Sequence, residues 1–140
     1  MKKNQTEQKQ TILIVEDDNK VLNLLLRVLS SKGYITMKAE SGRQALHIAG
    51  RTRPDLVILD LILPDCNGIQ ILSQLKAIDW AIQVIILTGY GSQETVRSAM
   101  EIGAFDFLTK PFEIHELCAA VREALGYRPP AASGEYHNAK

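Results

Sequence analysis

Six side chains of this sequence could do chemistry as a group: the run Glu16-Asp17-Asp18, then Asp60, Thr88 and Lys110. Taken singly they are ordinary. An Asp after an apolar run is usually a helix cap or turn residue, an EDD run is usually a solvated turn, and a Lys before Pro usually faces solvent. Brought to one point they mean more. Clustered carboxylates repel, and their pKa values rise unless a cation sits among them. With oxygen donors alone the natural cation is Mg²⁺; zinc or iron would want His or Cys, and neither closes a strand here. A carboxylate beside Mg²⁺ and a lysine can attack phosphorus to form an aspartyl phosphate. Mg²⁺, the Lys110 ammonium and the Thr88 hydroxyl would then offset the charge on the phosphoryl oxygens. No general base is needed, because an aspartate is already ionised at neutral pH.

Those positions meet only if the elements that carry them share a sheet. Residues 11–16 (TILIVE), 56–60 (LVILD) and 84–88 (VIILT) are unbroken apolar runs of strand length, as strands buried on both faces require. Residues 34–39 and 104–109 are less apolar strands. Helical periods lie between them. Val21, Leu22, Leu25, Val28 and Leu29 share a face and stop at Gly33; Ser41 caps a short helix through Ala49. Ile69, Leu72, Leu75 and Ile78 mark a third helix, and Ser92 opens a fourth with Val96, Ala99 and Met100. Ile114, Leu117, Cys118, Val121 and Leu125 form the closing stripe.

Such alternation predicts parallel strands joined by right-handed crossovers, with helices on both faces. Ranking the strands by apolarity places the first, third and fourth centrally and the second and fifth at the edges. That is a flavodoxin-like, doubly wound α/β (βα)5 fold of strand order 2-1-3-4-5. In such a sheet ligands bind beyond the carboxyl ends of the strands, where the order reverses. Glu16, Asp17, Asp60, Thr88 and Lys110 all stand at that rim.

Composition narrows the function classes. Lys and Arg number 16 and Asp and Glu number 16, so no net field draws the chain to nucleic acid or an anionic membrane. A hydrophobic content of 46% is that of a globular domain. No apolar run approaches the roughly 20 residues of a membrane span, and the N-terminus lacks an apolar signal core. Cys66 and Cys118 read as buried or half-buried thiols in a reducing, cytoplasmic setting. Residues 1–10 read as a flexible lead-in, 11–126 as one folded domain, and 127–140 as a disordered tail or the start of a linker.

The segments ILIVEDD, PDLVILDLILPDCNG, VIILTGYG and GAFDFLTKPF resemble the receiver (CheY-like) domain of bacterial two-component response regulators. The stretch GYGSQETVRSAMEIGAFDFLTKPF is most similar to receivers of NtrC-type regulators, with which a transcriptional output is compatible. The resemblance implies a phosphoacceptor signalling domain, not an enzyme. Asp60 would take a phosphoryl group from the phosphohistidine of a histidine kinase or phosphotransfer protein. Glu16 and Asp17 would hold Mg²⁺, Asp17 most directly, with Asp60 and the backbone carbonyl of Ile62 as further ligands. Thr88 and Lys110 would contact the phosphoryl oxygens, and the Lys110–Pro111 bond would be cis. Thr88 and Phe107 would form the switch: Thr88 moves toward the phosphoryl group and the Phe107 ring fills the space beneath it. The face built from residues 92–102, 104–109 and 113–125 would then change shape for an output domain, a downstream protein or a second copy of the chain. Phe107 also reads as a plain edge-strand core residue.

Ile62 and Tyr90 each lie two residues past a site residue, and in the family such positions flank the path of attacking water. Apolar or bulky side chains there imply a long-lived phosphorylated state. Asp18 reads as the cap of the following helix. His47, His115 and His137 carry no phosphodonor role, Trp80 and Met100 read as packing residues, and Gly89 and Gly91 make a flexible loop. A phosphohydrolase of the haloacid dehalogenase type would need a second Asp where Ile62 stands. A flavin-binding module would need a Ser/Thr/Gly-rich phosphate loop where EDDNK stands.

Overall fold

A computed structural model describes residues 9–89 and 91–126. The lead-in expected over residues 1–10 lies mostly outside these residues; the tail over 127–140, with His137, and Tyr90 lie wholly outside. Among the described residues ten elements alternate strictly: β1 (Thr11–Val15), α1 (Asn19–Ser31), β2 (Ile35–Ala39), α2 (Gly42–Thr52), β3 (Leu56–Leu59), α3 (Gly68–Ile78), β4 (Gln83–Thr88), α4 (Gln93–Ile102), β5 (Asp106–Thr109) and α5 (Ile114–Gly126). The five strands are all parallel, in the order β2-β1-β3-β4-β5. This is the doubly wound α/β fold that the strand ranking predicts.

Period-two alternation sorts the central strands into two cores. Leu13, Val15, Val57, Leu59, Val84 and Ile86 point to one face, under Ala45 and Ala49 of α2, Leu72 and Leu75 of α3 and Ala99 of α4. Ile12, Ile14, Ile58, Ile85 and Leu87 point to the other, under Leu22, Leu25 and Leu29 of α1 and Leu117, Val121 and Ala124 of α5. Both faces are covered, which is why β3 and β4 are buried throughout while β2 and β5, at the edges, are not. No helix among the described residues is long and apolar enough to cross a membrane.

Local chemistry sets the helix ends. Asp18 caps α1, accepting from the amides of Lys20 and Val21, and Gly33 follows the helix at φ 97°. Ser41 and Ser92 cap α2 and α4. Ala104 and Phe105, expected in the last strand, precede it: the Ala104 amide donates to the Ala99 carbonyl at the end of α4, and β5 begins only at Asp106. Two expected packing residues are also corrected, since Trp80 and Met100 are each 43% exposed. Met100 sits one residue from Ala99, the sole buried position of α4, and so turns away from the core. Trp80 stands in the turn after α3, whose carbonyls at Trp80 and Ile82 receive the Lys76 ammonium at 2.8 and 2.7 Å.

Candidate functional site

Sheet register assembles the site. Val15 of β1 pairs with Leu59 of β3, and the Asp60 amide donates to the Val15 carbonyl at 3.1 Å, so Glu16 and Asp60 leave the sheet side by side. Thr88 pairs with Thr109, and the Lys110 amide donates to the Thr88 carbonyl at 3.0 Å, which brings Lys110 over the same rim. The Lys110–Pro111 bond is cis.

The side chains converge on one point. The Lys110 ammonium donates to Glu16 Oε1 at 2.7 Å and to Asp60 Oδ2 at 3.0 Å. The second oxygen of each acid is also used: Glu16 Oε2 accepts from the Asp18 amide at 3.1 Å, and Asp60 Oδ1 from the Ile62 amide at 3.0 Å. Glu16 is 2% exposed and Asp60 6%, both far below what an acid tolerates without partners. Asp17, by contrast, is exposed. Burial pushes the Glu16 carboxyl above the usual carboxylate range and the charge of Asp60 adds to that, against the pull of Lys110 and the Asp18 amide. Burial alone would lower the Lys110 pKa, but its bonds to Glu16 and Asp60 outweigh this and hold it above the ordinary lysine value.

Carboxylate oxygens of Glu16, Asp17 and Asp60 lie within 4.8 Å of one another. One ammonium against three carboxylates leaves the cluster short of positive charge, and its donors are all oxygen. A hard divalent cation fits both conditions.

An open cavity of about 580 Å³ adjoins the cluster, lined by Asp60, Ile62, Thr88, Gly89 and Lys110. Ile62, 55% exposed, forms an apolar wall there, while Thr88 is buried at the end of β4. Phe107 is half-buried on β5, packed against the core beneath α2, α3 and α4, and its ring lies over Gly91: a Cβ at Gly91 would stand 2.6 Å from the Phe107 Cζ. Asp18 caps α1 and is not one of the clustered acids, and His47 and His115 are exposed on helices.

Sequence reasoning missed how the backbone around Asp60 is held. Gly68 begins α3 beneath it; the Gly68 amide donates to the Leu61 carbonyl at 2.8 Å, and a Cβ on Gly68 would lie 2.5 Å from Leu61 Cα and 2.8 Å from the Asp60 carbonyl oxygen. The only available signal was the turn composition of PDCNG.

The family model described as response regulator receiver domain matches residues 12–122. Sporulation initiation phosphotransferase F of Bacillus subtilis is 44% identical over 114 residues, 81% of this chain and 92% of that protein. Regulatory protein AtoC of Escherichia coli, an NtrC-type regulator, is 37% identical over 114 residues, 81% of this chain but only 25% of that protein. Among solved structures, the CheX-CheY-BeF3-Mg²⁺ complex of Borrelia burgdorferi contains a chain that superposes with a TM-score of 0.82 at 25% identity, covering 89% of this chain and 95% of that one.

Proposed function

The chain belongs to the response regulator receiver domain family, and from that premise we propose that Asp60 is its phosphoacceptor, working with Mg²⁺. Receiver domains of two-component systems act as phosphoacceptors: phosphotransfer to an aspartate is their general function. The observation that carries the assignment to Asp60 is the placement of its nearly buried carboxylate beside Glu16, bridged by Lys110, at the mouth of an open cavity.

One Asp60 oxygen attacks the phosphorus of a phosphohistidine on a kinase or phosphotransfer protein. The phosphorus–nitrogen bond breaks, and the imidazole leaves with the electron pair and takes a proton. Glu16, Asp17, Asp60 and the Ile62 carbonyl would hold Mg²⁺, which supplies positive charge to the phosphoryl oxygens in flight; the Borrelia complex contains this ion. Lys110 already faces Asp60 and adds its ammonium, and Thr88, which lines the same cavity, donates its hydroxyl. Ile62 stands where a second acid would be needed to turn substrate over, so the phosphoryl group is held as a signal. Thr88 and Phe107 relay it to the face of α4, β5 and α5, which an output domain, a downstream protein or a second copy reads. A cytoplasmic location belongs to the same reading.

Incubation with acetyl phosphate, with and without Mg²⁺, followed by intact-mass measurement tests the proposal. A single phosphoryl adduct is expected that needs the metal and disappears in Asp60→Asn. An adduct that persists in that variant, or forms equally well with the metal chelated, would contradict it.

A further inference from the structure

The loop from β3 to α3 carries both Asp60 and the Ile62 carbonyl. Its neck is closed by the Gly68 amide on the Leu61 carbonyl and by an antiparallel bridge between Ile62 and Asn67. Its far end is tied to another element. One Asp65 carboxylate oxygen accepts from the Gly42 amide at 2.9 Å and the other from the Arg43 amide at 3.0 Å. These belong to the first turn of α2, whose donors no helix carbonyl can serve. Ser41 takes the next one, from Gln44 at 3.2 Å. The first turn of α2 is therefore capped twice, by its own serine and by a loop residue distant in sequence.

The docking is close as well as polar. Gly42 is buried, and a Cβ there would overlap the Cys66 sulfur and stand 2.7 Å from Ile71 Cδ1, so a larger residue would push the loop away. The element that receives the loop is itself fixed, because Ala45 and Ala49 of α2 are wholly buried in the core. The two amide bonds hold the Asp65 carboxyl below the usual carboxylate range.

We propose that Asp65 is a positioning residue for the metal site: by tying the loop to α2, it holds the Ile62 carbonyl and Asp60 in the arrangement that Mg²⁺ requires. The proposal rests on the phosphoacceptor reading above. Asp65 is not itself a ligand, since both its oxygens are engaged by amides. Partners of this kind, which orient the groups that touch a metal, typically change metal affinity by about 10–100-fold when removed.

Calorimetric titration of MgCl2 into wild type, Asp65→Ala and Asp65→Asn tests it, with amide exchange at Gly42 and Arg43 to report whether the clamp is broken. Asp65→Ala is expected to weaken Mg²⁺ binding by about tenfold or more. Asp65→Asn, which keeps one acceptor, should fall between; it carries the comparison should the alanine variant fail to fold. Acetyl phosphate labelling of either variant should recover at saturating Mg²⁺. Fast exchange at both amides with Mg²⁺ affinity within about twofold of wild type would overturn the positioning role alone, because the reference for metal affinity effects is far larger. A wild type that binds no Mg²⁺ would instead overturn the phosphoacceptor reading, and this role with it.

Discussion

Gly68→Ala sets two effects of opposite sign against each other. At the start of an exposed helix, Ala would be better than Gly by up to about 1 kcal/mol. Gly68, however, is buried against the backbone that bears Asp60. The new Cβ would lie 2.5 Å from Leu61 Cα, 2.8 Å from the Asp60 carbonyl oxygen and 3.0 Å from the Leu61 carbonyl carbon. Carbon contacts settle at about 3.5–4.0 Å, so the two segments must part by roughly 1 Å. No flexible side chain is present to give way, and the 2.8 Å bond from the Gly68 amide to Leu61 crosses the same gap. Overpacking of this kind costs about 1–3 kcal/mol, and a weakened hydrogen bond about 1 kcal/mol more. The expected result is a net loss of about 1–3 kcal/mol, read from urea unfolding as a lower midpoint with unchanged slope. Mg²⁺ binding should weaken along with it, since the displaced backbone carries Asp60 and Ile62. A Gly68→Ala protein as stable as wild type or more so would refute the reasoning, because helix propensity would then outweigh the contact.

Three further outcomes follow from the same geometry. Asp65 has a folded pKa below its unfolded value of about 3.9, so its contribution to stability is complete above that pH and is lost as pH falls through the folded value; stability measured by urea unfolding from pH 5 downward should therefore fall less steeply in Asp65→Asn than in wild type. Gly91→Ala should expel the Phe107 ring from its half-buried seat, which the resonance of a fluorinated Phe107 would report by shifting in the unphosphorylated protein. Ile62→Asn should speed loss of the phosphoryl group by about tenfold, equivalent to ~1.4 kcal/mol, as followed by the decay of the phosphorylated mass; an unchanged rate would remove Ile62 from any role in excluding water.

Long-range architecture was legible where the sequence is most one-sided. LVIL and VIILT can be satisfied only between two covered faces, so β3 and β4 had to be central, and the strand order followed. The polar residues that close these strands then had to share a rim, which is where Glu16, Asp60, Thr88 and Lys110 stand. Contacts between backbones were not legible. Nothing in the residue types of Gly68 or Gly42 states which segment lies against them, and Asp65 reads as a turn residue until α2 is seen to present its amides. Helix periodicity misplaced Met100 because α4 is buried only through Ala99, too little apolar surface to fix its phase. Trp80 was misjudged because size suggests burial, whereas the turn that holds it is fixed through backbone carbonyls.

A phosphoacceptor Asp60 carries its phosphoryl group as an acyl phosphate. Borohydride reduces an acyl phosphate to an alcohol, so treating the acetyl phosphate-labelled protein with borohydride and sequencing its peptides by mass locates the modified residue. Homoserine at position 60 and nowhere else, formed only when Mg²⁺ was present, is the expected result. Homoserine at position 17, or unmodified aspartate at 60 in a protein that carries the phosphoryl mass, would contradict it.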